Sequence, residues 1–102
     1  MTRELFKEIN QWQNKTFPAA TALSKAKHLR KEIDELIVEL ESQSHDKGTE
    51  YADCFILLFG SAFSDGMSYD QILFIIEEKF SIIKQRKWGE PDADGVVQHI
   101  KE

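Results

Sequence analysis

The chain has 102 residues, 41% of them hydrophobic and 30% charged, with a formal net charge of -5. That balance describes one folded domain spanning residues 1–102 and excludes a disordered chain, while the negative field argues against nucleic acid and anionic lipid as partners. One cysteine, Cys54, excludes an intrachain disulfide and a cysteine-rich zinc site, so the expected compartment is reducing and cytoplasmic.

In chain order, Leu5, Phe6, Ile9 and Trp12 recur at helical spacing and predict a first helix from Arg3 to about Asn14. Thr16 to Ser24, with Pro18 and small residues, reads as a loop, and Ser24 is the expected N-cap of a second helix running to about Ser42. Gln43 to Gly48 breaks the pattern. Thr49 is then the expected cap of a third helix, from Glu50 to about Asp65, closed by Gly66.

Ser68 and Gln71 form a capping-box pattern for a fourth helix from Tyr69 to about Lys87. Beyond a turn-rich stretch from Trp88 to Gly95, Val96 to Lys101 is expected as one last short helix, and no β-hairpin signal competes. The start Met1-Thr2-Arg3-Glu4 has no apolar stretch of signal-peptide type. The longest apolar run, Cys54 to Phe59, is too short to cross a bilayer, so no membrane is expected as a partner.

The third helix is apolar nearly all round, from Tyr51 through Phe55, Leu58 and Phe63, leaving only Glu50 and Asp53 as a polar edge. Such a helix must be covered on several sides, which predicts a homo-oligomer, dimer or tetramer, with this helix near the interface.

Two acidic pairs stand out: Glu32 and Glu35 on the second helix, Glu50 and Asp53 on the third. Each is spaced i, i+3, so both carboxylates of a pair project from one helix face. If the two helices pack antiparallel across their short loop, the four acids converge, and like charges so close need a cation among them. All-oxygen ligands point to Mg²⁺, Mn²⁺ or Ca²⁺ rather than zinc. A solvated acidic face is the plainer account of either pair alone; the pairing on consecutive helices, beside an apolar surface, puts a metal site on equal terms with it.

His28 lies one turn before Glu32 on the same face and could reach a ligand phosphate, although a partly exposed helix histidine is the plainer account. Lys79, Lys84, Arg86 and Lys87 gather near the end of the fourth helix, where the helix dipole alone would also favour them. With Lys25 and Lys27 they are candidates for holding a polyphosphate, and Trp12 and Trp88 for stacking on a base. There is no glycine-rich phosphate loop of the Walker type and no serine or cysteine nucleophile beside a base.

Glu32-x-x-Glu35 followed a helix later by Glu50-x-x-Asp53, with Trp12-Gln13, SKAKHLRKE, EYADCFILLFG and the closing RKWGEPDADGVVQHIKE, resembles the MazG-like all-α nucleotide pyrophosphohydrolases, in particular their dATP/dGTP branch. The resemblance covers almost the whole chain. It implies a four-helix MazG-like bundle completed by oligomerisation, with a short C-terminal extension, that hydrolyses a (deoxy)nucleoside triphosphate to the monophosphate and pyrophosphate. It further implies Mg²⁺, with Mn²⁺ as a substitute, on Glu32, Glu35, Glu50 and Asp53, and Glu32 or Glu35 acting on the attacking water. Trp12, His28, Lys79, Arg86 and Lys87 are the expected substrate contacts. Two positions depart from the pattern: Lys31 replaces the first of two adjacent glutamates found in many members, and Ile83 stands where an asparagine often follows the helix-four lysine. The competing readings are a non-catalytic helical dimerisation module and a nucleotide sensor.

Overall fold

The structure, a computed structural model, describes residues 1–43, 45 and 47–101. Among them run the helices α1 (Arg3–Thr16), α2 (Ala22–Glu41), α3 (Lys47–Ser64) and α4 (Tyr69–Gln85). The chain forms two compact units, Met1–Tyr69 and Asp70–Glu102.

In the first unit, Thr2 starts α1 by accepting the Leu5 amide on its hydroxyl at 3.1 Å. α1 then buries Phe6, whose ring meets Phe59 and Phe63 of α3 edge-on at centroid separations of 5.9 and 5.8 Å, a favoured aromatic geometry. α2 begins at Ala22, not after Ser24: Thr21 is the N-cap, and Ser24 sits at the third helical position of a reciprocal capping box. The Thr21 hydroxyl accepts the Ser24 amide at 3.0 Å and the Ser24 hydroxyl accepts the Thr21 amide at 2.8 Å. Serine serves there as glutamate does in the usual box, so the start moves three residues upstream of the expected cap.

α2 and α3 run antiparallel. The Ser61 hydroxyl donates to the Ala22 carbonyl at 2.8 Å and Lys25 Nζ donates to Ser64 Oγ at 2.7 Å, joining the start of α2 to the end of α3. The crossing is close at the buried Gly60, where a Cβ would stand 2.6 Å from Gln13 Oε1 and 3.5 Å from Lys25 Cδ. α3 starts at Lys47, which puts Thr49 inside its first turn and overturns it as a cap. Gly48 is tolerable there because first-turn amides need no partner within the helix; of the expected connecting loop, Ser44 and Asp46 lie outside the described residues. Gly66 ends the helix as expected, at φ 98, with the Met67 amide reaching back to the Ala62 carbonyl at 3.1 Å.

The second unit holds the main departure from the sequence reading. α4 ends at Gln85, and Val96 to Lys101 is not helical. The Asp92 carboxylate accepts the amides of Asp94 and Val96, each at 2.9 Å, and Gly95 adopts φ 79, so the chain doubles back. Trp88 then pairs antiparallel with His99, flanked by Gly89 N to Gln98 O at 2.9 Å and Ile100 N to Lys87 O at 2.7 Å. The β-branched Val96 and Val97 favour this extended arrangement over a one-turn helix.

Candidate metal centre

Antiparallel packing brings the carboxylate step of α2 opposite the first turns of α3. Ligand oxygens of Glu32, Glu35 and Glu50 all lie within 4.8 Å of one another. Asp53 stands outside that triplet, although its charge still acts on both Glu35 and Glu50.

The electrostatics record the crowding. The Glu35 carboxyl is raised above the ordinary carboxylate range, first by its hydrogen bond with Glu32 and then by the Glu32 charge. Glu50 is raised too, by burial first and then by the charges of Glu35, Glu32 and Asp53. The buried Cys54 thiol is pushed up by burial and by the nearby acids, which makes it an inert packing group rather than a nucleophile.

One atom makes the arrangement more than a solvated acidic face. Glu50 Oε2 is screened from solvent and meets no hydrogen-bond donor among the described residues. A shielded anionic oxygen without a donor is costly unless a cation meets it. Oxygen ligands about 2.0 to 2.6 Å from a hard divalent cation can lie up to about 5 Å apart across it, so the spacing of the three acids suits such an ion.

His28 takes the place expected of it: Nε2 lies 3.2 Å from Glu32 Oε1 one turn away, with the ring largely exposed. Beside it opens a cleft of ≈ 280 Å³ lined by Phe17, Ala20, Ser24, Lys25, His28 and Leu57. Trp12 is on α1, more than half exposed, packed edge-on against Phe17 at 5.6 Å. Lys79, Arg86 and Lys87 belong to the second unit.

Lys25, a candidate with Lys27 for holding a polyphosphate, is only 5% exposed. Its ammonium donates to Ser64 Oγ and, at 3.5 Å, to Asn14 Oδ1, and burial lowers its pKa. Asn10 and Gln13 are buried beside α3 and were missed by pattern reading; they occupy the inward stripe of α1 with Phe6, and their polarity disguises it.

Residues 5–102 match the model of the dATP/dGTP pyrophosphohydrolase family. Among solved structures, the chain is similar to a MazG-like pyrophosphohydrolase of cyanophage S-2L, bound to dGDP and three catalytic Mn²⁺ ions per active site, at 28% identity and a TM-score of 0.80 over 99% of both chains. No curated protein matches.

Proposed function

This chain belongs to the dATP/dGTP pyrophosphohydrolase family and has its MazG-like all-α fold, and from that premise we propose that it is a Mg²⁺-dependent enzyme, with Mn²⁺ as a substitute, acting on dATP and dGTP. Nucleotide pyrophosphohydrolysis itself follows from the family and from the structural neighbour. The observation that supports the cation is the shielded Glu50 Oε2, without a donor among the described residues, on a carboxylate grouped with those of Glu32 and Glu35.

Glu32, Glu35, Glu50 and the adjoining Asp53 are the residues we assign to hold the cation. When bound, it would neutralise the triphosphate, polarise the phosphorus under attack and lower the pKa of a bound water. Glu35, whose carboxyl is raised above the ordinary carboxylate range, suits the taking of a proton from the attacking water, with Glu32 as the other candidate. Fission between the α- and β-phosphates then leaves the monophosphate and pyrophosphate.

The apolar cleft beside His28 is large enough for a purine, and Phe17 and Leu57 offer it flat and aliphatic walls. His28, within one turn of the acids, is assigned to the phosphates; Trp12, Lys79, Arg86 and Lys87 complete the proposed substrate contacts. The dGDP held by the cyanophage protein supports a purine deoxynucleotide.

We further propose a single catalytic domain in a homo-oligomer. The family match spans both compact units; in the first, Phe55 and Leu58 of α3, and separately in the second, Phe74 and Phe80 of α4, are each more than half exposed, apolar surfaces that a second copy would cover. Among the described residues no helix is long and apolar enough to cross a membrane, and the lone thiol supports a cytoplasmic setting.

The test is a panel of the eight standard ribo- and deoxynucleoside triphosphates with Mg²⁺, assayed separately for pyrophosphate and orthophosphate. Pyrophosphate release fastest with dATP and dGTP is expected; orthophosphate release, or binding without turnover, would overturn the reading.

A further inference from the structure

The cleft beside His28 holds a charge that the acidic centre does not use. Three polar side chains line it, and two of them are engaged locally. Ser24 Oγ accepts the Thr21 amide and donates to the Thr21 carbonyl, as part of the cap of α2. His28 Nε2 faces Glu32, and the ring is largely exposed. Lys25 is the third, and it is buried.

A lysine ammonium carries three donors and no acceptor. Lys25 directs two of them to neutral oxygens, Ser64 Oγ at 2.7 Å and Asn14 Oδ1 at a long 3.5 Å. Among the described residues it has no third acceptor, and no carboxylate offsets its charge. A buried cation met by neutral groups alone favours a further electron-rich acceptor. Its place on the helix selects the kind. Lys25 precedes Glu32 by seven residues, about 10 Å along the axis at about 1.5 Å per residue. A nucleotide whose phosphates meet the acids puts its sugar next and its base farthest, which brings the base to Phe17, Leu57 and Lys25.

We propose that Lys25 selects the purine: its unengaged N–H donates to the O6 and N7 acceptors that guanine presents side by side, so that dGTP is favoured over dATP. Adenine carries an amino donor where guanine has O6, which would set donor against donor in a buried place. A site built to hydrogen-bond one group rejects the analogue that lacks it. The proposal rests on the pyrophosphohydrolase reading for the direction in which the nucleotide lies, and on the burial and open donor of Lys25 for the selectivity.

The test compares dGTP, dITP and dATP with Mg²⁺, by kcat/KM for pyrophosphate release, in the parent and in Lys25→Met, which keeps the buried stem without the charge. Hypoxanthine retains O6 and N7 but lacks the 2-amino group, so dITP isolates the two acceptors. The parent is expected to favour dGTP and dITP alike over dATP by about tenfold or more, the selectivity that one good base contact provides, and Lys25→Met to bring the ratio close to one. A parent without that preference, dITP ranking with dATP, or a ratio unchanged in Lys25→Met overturns the assignment. An equal loss for both purines in the variant also overturns it, because that places the ammonium on the phosphates or in the packing. Calorimetric titration with dGMP and dAMP, which have no anhydride to cleave, reads the same ratio without turnover. A dGMP preference that Lys25→Met abolishes supports the assignment even where no triphosphate releases pyrophosphate, a result that would refute the catalytic reading instead; equal binding of the two monophosphates, or binding of neither, overturns it.

Discussion

Glu35 of α2 and Glu50 of α3 face each other so closely that the charge of Glu35 raises the carboxyl of Glu50. Among the described residues no lysine or arginine charge offsets either shift, and the opposing charge on Glu35 comes from His28. Two helices have therefore been packed to bring anions together.

Replacing one ligand at nearly constant volume should separate folding from chemistry. Glu35→Gln and Asp53→Asn are expected to keep their helical circular dichroism while losing about 100-fold or more in pyrophosphate release, since weakening even a ligand's supporting partner typically costs about 10- to 100-fold. Steady-state assays beside thermal melts check this. Full turnover in both variants would contradict it.

The crowded acids also set a pH signature. Because the native carboxyls of Glu35 and Glu50 are raised above their unfolded values, the native state holds more protons between the unfolded and raised native values. Stability of metal-free protein therefore falls as pH rises through that window. Glu50→Gln in chelator is expected to melt higher than the parent at pH 7, with the advantage shrinking as pH drops from the raised native value to the unfolded carboxylate value of about 4.3 and absent below it. Saturating Mg²⁺ should reverse the order at pH 7, because a ligand that binds only the native state stabilises it by mass action.

How much of this was legible in the sequence depends on the kind of signal. Glu32-x-x-Glu35 and Glu50-x-x-Asp53 were readable because helical periodicity alone fixes which side chains share a face, and the short connection forces an antiparallel partner. Gly66 was readable because few residues other than glycine take a left-handed helix stop. Ser24 misled because a serine is an equally good cap and third-position box residue, and the choice depended on Thr21 upstream. The hairpin from Trp88 to Ile100 was hidden because its signal is a side-chain bond from Asp92 to the amides two and four residues on, not an alternation of apolar residues. Lys25 was unreadable because its burial comes from packing against the end of α3, where Gly60 and Ser64 are distant in sequence.

The close approach of α1 and α3 can be tested at Gly60. A Cβ there would stand 2.6 Å from Gln13 Oε1, itself buried without a donor among the described residues. Gly60→Ala is expected to destabilise by about 1–3 kcal/mol, as overpacking does, by chemical denaturation. Since the clash is with a flexible side-chain end, Gln13→Ala in the same chain should recover part of that loss.

Lys25 offers a complementary test. Its ammonium is buried, while Ser64 and Asn14, which accept from it, are exposed and can turn to water. Lys25→Met retains the buried stem without the charge and is expected to melt at or above the parent temperature at pH 7. Lys25→Ala leaves a void and should cost about 2 kcal/mol or more. Because burial lowers the Lys25 pKa, the parent gains stability as pH rises from the lowered native value toward the unfolded one, so the methionine variant's advantage should narrow in alkali.

The most direct measurement is a calorimetric titration of Mg²⁺, repeated with Mn²⁺, into metal-free protein and its Glu50→Gln and Glu35→Gln variants. Saturable binding in the parent that is lost or weakened about 100-fold in both variants is the expected result. Absence of binding in the parent, or unchanged binding after both substitutions, would show that these carboxylates do not hold the cation.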